Sequence, residues 1–112
     1  MATEYLQKLS RLVSELDLNS NVDVALEVRH FFNGAALYAG QVMCASWSPA
    51  GLAFKLPELE VNKLIASGKA KPLKYFEKGH VKKGYAAFDF PRDEKNIKWK
   101  IYFLTAINHC HA

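Results

Sequence analysis

Side chains able to act as nucleophiles or bases occupy few positions in this sequence. Cys44 lies within an apolar run, and His30 continues the apolar alternation of the segment before it. A hydrolase needs a nucleophile beside a base that a third group orients, and the sequence contains no G-x-S-x-G. Reactive cysteines lie in exposed, electropositive surroundings. We therefore interpret Cys44 as a buried structural thiol and His30 as a core or rim residue, and we expect no catalytic site.

Two further sets of potential catalytic or metal-binding groups have simpler interpretations. Asp23 and Glu27 are two pleats apart beside Arg29, which favours a charge-paired surface over acid–base catalysis. Three consecutive residues at the C-terminus, His109-Cys110-His111, could bind zinc or copper. Adjacent helical residues point about 100° apart, however, and no Cys-x-x-Cys motif or spaced histidine pair completes the set. We interpret this segment as a frayed helix end and predict neither a metal nor a cofactor.

The charge distribution is the strongest indication of a binding partner. The chain has 15 basic and 11 acidic residues, a formal charge of +4. Residues 69–83 contain six lysines against Glu77, residues 92–100 contain four basic and two acidic residues, and the rest of the chain is net negative. The six candidate binding residues for a protein or nucleic-acid partner are Lys69, Lys71, Lys74, Lys78, Lys82 and Lys83.

Two interpretations of these lysines remain open. Tyr75, Phe76 and Tyr85 are interleaved with them, a composition typical of oligonucleotide-binding surfaces. Because the chain contains three arginines among its 15 basic residues, few side chains could read base edges. Strand alternation could also place the aromatic rings in the core. A solvated face, or a charged edge strand that prevents aggregation, is the alternative that we favour.

The length of 112 residues predicts one domain, residues 1–112. Half of the residues are hydrophobic, which is ordinary for a globular domain. An amphipathic helix is predicted for residues 3–17, with its leucine stripe packed on the rest of the domain. Residues 22–29 alternate as a strand with one buried face. Asn33-Gly34 either closes a tight hairpin or forms a bulge that bends one long strand.

The remaining elements complete a segregated α+β pattern. Turns are predicted at 39–41 and 48–51, followed by a strand at 52–56 and a helix from Pro57 to about Gly68. Strands at 72–76 and 81–90 and a helix capped by Asp93 follow. The sequence predicts a two-layer α+β fold, an antiparallel sheet of about five strands with flanking helices, in the order α-β-β-β-α-β-β-α. Consecutive hairpins make a central parallel β-α-β unit unexpected.

The sequence shows no membrane span and no secretion signal. No run approaches the roughly 20 apolar residues that a spanning helix needs, and charged residues interrupt the N-terminal segment. Two cysteines are too few for a disulfide scaffold. We therefore expect a cytoplasmic location. We also expect a homodimer, since a small two-layer sheet leaves an apolar face or edge that a second copy can cover.

The order and spacing of several motifs over about residues 5–107 are similar to a known family. The motifs are Arg29-His30-Phe31-Phe32-Asn33-Gly34, Leu37-Tyr38, Gly40-Gln41-Val42-Met43, Leu52-Ala53-Phe54-Lys55, Ala66-Ser67-Gly68 and Tyr85-Ala86-Ala87-Phe88. Together they resemble the N-terminal domain of the TfoX/Sxy competence regulators. The resemblance implies a two-layer α+β fold and a non-enzymatic role in competence or transcription regulation through protein contacts, and it implies no catalytic residue. The alternative function is a nucleic-acid-associated module whose lysines bind phosphates non-specifically.

Overall fold

The computed structural model describes residues 3–31, 33–74, 81–88 and 97–110. Some residues of the sequence predictions lie outside these ranges: Tyr75, Phe76, Lys78, Asp93 and His111. The C-terminal ends of the strands predicted at 72–76 and 81–90 also lie outside them. A short 3-10 turn, Leu18–Asn21, follows the first helix. The elements are α1 (Thr3–Glu15), β1 (Leu26–Phe31), β2 (Gly34–Ala39), β3 (Val42–Ser48), β4 (Gly51–Lys55), α2 (Glu58–Ala66), β5 (Lys71–Leu73), β6 (Lys82–Phe88) and α3 (Ile97–Cys110).

The strands form one antiparallel sheet in the order β1-β2-β3-β4-β6-β5, which confirms the α+β prediction. The described sheet has six strands, one more than expected. The difference arises at Asn33-Gly34, where Phe31 pairs with Gly34 and a tight hairpin separates β1 from β2. A Cβ atom at Gly34 would clash with the Trp47 carbonyl oxygen and lie 2.6 Å from the Ser48 Cβ. Glycine therefore permits the close approach of β2 to β3.

The three helices bury one face of the sheet in a continuous core. The leucine stripe of α1 is buried there, as the sequence predicts, together with Val61 and Leu64 of α2 and Phe103 of α3. Phe54 on β4 lies at the centre of the aromatic side chains, 4.8 Å from the ring of Phe103. Edge-to-face contacts of this kind add to the stability that burial provides. No described helix is long and apolar enough to cross a membrane.

The other face of the sheet has a second, smaller buried cluster formed by Ala53, Leu73, Tyr85 and Ala87, and the sheet curls toward this face. Ala36, Ser46, Ala53 and Ala87 are fully or almost fully buried there. Lys82 Nζ of β6 lies 5.7 Å from the Phe31 ring of β1, although β2, β3 and β4 separate the two strands. In a flat sheet β1 and β6 would be about 19 Å apart, given roughly 4.8 Å between neighbours. The sheet must therefore curl until opposite corners meet.

The two edges of the sheet differ in length and in regularity. β1 forms six consecutive pairs with β2. β5 has three residues, includes Pro72, and changes register against β6, because Pro72 pairs with Ala86 but Leu73 pairs with Lys82. Residues 83–85 therefore bulge out of the ladder. Gly84 in this bulge has a φ of 85°, a left-handed conformation that favours glycine.

Candidate interaction site

Five of the six lysines predicted from the sequence lie within the described residues, on or beside β5 and β6. Lys69, Lys71, Lys74, Lys82 and Lys83 are all exposed. Lys71 lies opposite Ala87 at one end of β6, and Lys82 lies opposite Leu73 at the other end. Lys69 and Lys71 also line a small cavity of about 140 Å³ beside the exit of α2. We call this lysine-rich side of β5 and β6 the basic edge.

A larger groove of about 540 Å³ opens between α2 and the β6 bulge. Three extra residues on β6 displace its backbone from β5, and the Gly84 carbonyl accepts a hydrogen bond from the Leu56 N–H at 3.1 Å. This bond holds the bulge against the end of β4. The groove is lined by Glu58, Val61, Asn62 and Ile65 of α2, by Pro72, and by Val81, Lys82, Lys83, Gly84 and Tyr85.

The groove combines an apolar lining with charges of both signs. Val61, Ile65 and Val81 provide apolar surface, and Val81 is half exposed. Lys82 and Lys83 line the β6 side, and Glu58 lines the α2 side. Its volume lies within the range of small-molecule and peptide side-chain pockets. The arrangement can bind an apolar anchor that carries a neighbouring acidic group.

Lys82 has a second role in the fold. Its ammonium lies 5.7 Å from the ring centre of Phe31 and 5.5 Å from that of Tyr85. Cations at such distances are attracted to the faces of aromatic rings. Lys82 therefore links β6 to β1 across the curled face, so substituting it would perturb the fold as well as the groove.

The aromatic residues do not provide a stacking surface within the described part of this side. Tyr85 is 4% exposed, and its hydroxyl donates a hydrogen bond to the Met43 carbonyl at 3.3 Å. A ring with so little exposed surface offers no face on which a nucleobase could stack. Of the two interpretations left open by the sequence, the core position is confirmed for Tyr85. Any nucleic-acid contact by the described residues would depend on lysine–phosphate attraction.

The candidate nucleophile and base have no catalytic geometry. Cys44 is buried at the irregularity between β2 and β3, and its thiol donates a hydrogen bond to the Leu37 carbonyl at 3.5 Å. This complete burial confirms the prediction of a buried thiol, and it also raises the pKa of Cys44 to about 12. His30 is exposed near the end of β1, so of the two predicted positions, core or rim, the core is wrong. The packed side chains on its face of β1 are Leu26 and Val28.

The C-terminal segment is more ordered than the sequence suggests. α3 continues through Cys110, which is half-buried, and its thiol donates a weak hydrogen bond to the Met43 carbonyl at 3.8 Å. Burial raises the pKa of the Cys110 thiol. The prediction of a frayed end is therefore wrong as far as Cys110, because this residue packs on β3. The described residues contain no group of three or more His, Cys, Asp or Glu side chains that could hold a metal ion.

Glu27 and Arg29 on β1 form the charge-paired surface that the sequence predicts. Their carboxylate and guanidinium groups are 2.7 Å apart, and the guanidinium lies 4.6 Å from the Tyr38 ring centre. The hydrogen bond from Arg29, together with its charge, lowers the pKa of Glu27. The two opposite charges at i and i+2 are visible in the sequence, but their position on an edge strand depends on the order of the strands in the sheet.

Comparisons of the chain with protein-family models, with curated proteins and with solved structures found no match. The resemblance to the TfoX/Sxy N-terminal domain therefore stays a prediction from the quoted motifs.

Proposed function

We propose that this chain is a non-enzymatic regulatory module that acts through protein contacts in the bacterial cytoplasm, as the N-terminal domain of the TfoX/Sxy regulators would. The resemblance implies a two-layer α+β domain, and the antiparallel sheet with its helices is of that class. The observation that carries the proposal is the groove between α2 and the β6 bulge, beside the basic edge.

The chemistry of the groove defines the kind of partner. An apolar side chain would bind against Val61 and Ile65, and an acidic neighbour would pair with Lys83 at the rim. Tyr85 lines the groove and is held by the hydrogen bond from its hydroxyl to the Met43 carbonyl. The partner is therefore an acidic protein segment with an apolar anchor, from a protein associated with transcription.

The test uses a substitution that fills the groove and a matched substitution on another surface. Asn62 is exposed and lines the groove, whereas Asn108 is exposed on α3. Wild-type protein and N108R should recover the same transcription-associated protein from bacterial extract, and N62R should lose it. Circular dichroism confirms that all three proteins are folded. Recovery of no such protein by the wild type, or equal recovery by N62R, would contradict the proposal.

A second candidate function is non-specific nucleic-acid binding. It is favoured by one observation, the position of five exposed lysines along the same side of the sheet. Titration of duplex DNA at several salt concentrations tests it, because log K should fall with log salt by roughly 0.9 per neutralised phosphate. K69E/K74E should reduce that slope. Binding that is absent, or that does not change with salt, would eliminate this candidate.

A further inference from the structure

Among the residues that the structure describes, the outer side of β1 is a strand edge with no paired strand. The Ala25 carbonyl accepts a hydrogen bond from the Gly40 N–H at 2.8 Å, so the backbone groups of residue 25 point toward β2. Strand alternation directs the backbone groups of Glu27, Arg29 and Phe31 the same way. Those of Leu26, Val28 and His30 therefore point outward. Within the described ranges, no other strand is paired with that side of β1.

The charged side chains of β1 lie one residue before and one residue after Val28. Glu27 and Arg29 flank it on one face and are both exposed, with opposite charges. Leu26 and Val28 are half-buried on the other face and pack against the core. If a second copy of β1 ran antiparallel beside the first with a two-fold axis at Val28, each Glu27 would face Arg29 of the other copy.

Charge and geometry together select this register. Outward backbone groups belong to the even-numbered residues, so even-numbered residues must pair with one another. Moving the axis to Glu27 or to Arg29 keeps that rule but places like charges directly opposite, which is destabilising. Moving it to Leu26 or His30 shortens the overlap, because β1 spans Leu26–Phe31. An axis at Val28 allows about six hydrogen bonds between the strands.

We propose that β1 mediates homodimer formation by antiparallel pairing about Val28, which joins the sheets of two copies into one continuous sheet. The Glu27–Arg29 pair of each copy extends into an alternating cluster of four charges. This inference does not depend on the groove or on a regulatory role.

The first experiment reverses the charges one at a time and then together. Analytical ultracentrifugation of the wild type should show a dimer. E27R and R29E should each weaken dimerisation by roughly tenfold, because each places like charges opposite one another twice. E27R/R29E should restore it, since the exchanged charges pair again. E15R makes the same charge change as E27R at an exposed position on α1 and should leave dimerisation unchanged.

The second experiment tests the backbone contact. The outward N–H of His30 would bond to Leu26 of the second copy, and proline is tolerated on a strand edge where its nitrogen faces away from the neighbour. H30P should therefore remain folded but monomeric, while H30A should stay dimeric. A folded H30P dimer would overturn the proposal.

Cross-linking tests the register directly. In a C110S background, V28C should form an intermolecular disulfide, because directly opposite Cα atoms in a hydrogen-bonded pair are about 5.5 Å apart. L26C should not, since the axis at Val28 separates the two Leu26 positions by about four residues along the strands. A monomeric wild type, a dimer insensitive to both single charge reversals, failure of the double variant to dimerise, or equal cross-linking at 26 and 28 would each overturn the proposal.

Discussion

One edge of the sheet is long and regular, while the other is short and interrupted. β1 has six residues, no proline and an outward row of backbone groups. β5 has three residues, of which Pro72 lacks an N–H, and it lies beside a bulge and several exposed lysines. Natural sheets protect their edges with short strands, proline, bulges and lysine. β5 has all four of these features.

The two proposals place self-association at one edge of the sheet and binding of another molecule beside the other edge. At β5 the bulge that interrupts strand pairing also opens the groove against α2, so protection of the edge and formation of the site have one cause. At β1 the charges do not simply repel other strands. Their order, acidic at 27 and basic at 29, disfavours the two registers centred on Glu27 or Arg29 and favours the register centred on Val28.

The largest expected effect comes from changing the hairpin that creates the β1 edge. G34A places a methyl group against the backbone of Trp47 and Ser48, which are held by pairing with β4. We expect a loss of about 3 kcal/mol in the free energy of unfolding, as for other overpacked sites. Urea denaturation measures it. A loss under about 1 kcal/mol would mean that β2 and β3 separate easily, and that the edge is not rigid.

A smaller effect is expected at the bulge beside the β5 edge. A Cβ at Gly84 would have no atom within 4 Å, but the φ of 85° strains any other residue. We expect G84A to lower the free energy of unfolding by about 1.5 kcal/mol. The same urea titration gives the value. We attribute the loss in G34A to steric overlap and the smaller loss in G84A to backbone strain. Equal losses in the two variants would contradict this distinction.

A still smaller effect should follow from removing the contact between the two sides of the curled face. K82A removes the ammonium that lies against Phe31 and Tyr85 and should lower the free energy of unfolding by about 0.5 kcal/mol. K83A is the matched control, because this neighbouring exposed lysine has no described ring contact. If both variants have the same stability, Lys82 does not hold the corners of the sheet together.

The smallest change is the effect of acid on the β1 edge. The pKa of Glu27 in the folded state lies below the ordinary 4.5, because Arg29 donates a hydrogen bond to the carboxylate and is positively charged. Tyr38 is the titratable residue that pairs with Glu27 on the neighbouring strand β2. The stabilisation that this pairing provides is therefore complete above pH 4.5 and is lost as the pH falls through the lower folded-state value. In that range we expect the wild-type dimer to weaken slightly by ultracentrifugation.

E27Q is the control for this pH dependence, since its side chain has no charge to lose. Its dimerisation should change less than that of the wild type over the same range, with circular dichroism confirming that both remain folded. An identical pH dependence in the two proteins would assign the effect to another group.

Local patterns in the sequence were sufficient to predict several elements. The leucine spacing predicts α1, although the helix ends at Glu15 and Asp17 adopts a φ of 54° beyond it. Pro57 precedes α2 as expected. The strand predicted at 22–29 is observed at Leu26–Phe31, because the ladder with β2 begins where Leu26 faces Ala39. Strand limits depend on a partner that alternation in one segment cannot identify.

The α+β class, the buried thiol of Cys44 and the concentration of lysines near β5 and β6 could be predicted from the sequence, because each depends on local periodicity or composition. The position of β6 between β4 and β5, the bulge that opens the groove and, among the described residues, the lack of a strand paired with the outer side of β1 became visible only in the folded chain. These features arise from hydrogen bonds between segments distant along the chain. The alternation of apolar and polar residues in a segment predicts which face of the sheet each side chain occupies. It does not predict which strand lies beside that segment, or whether any strand does.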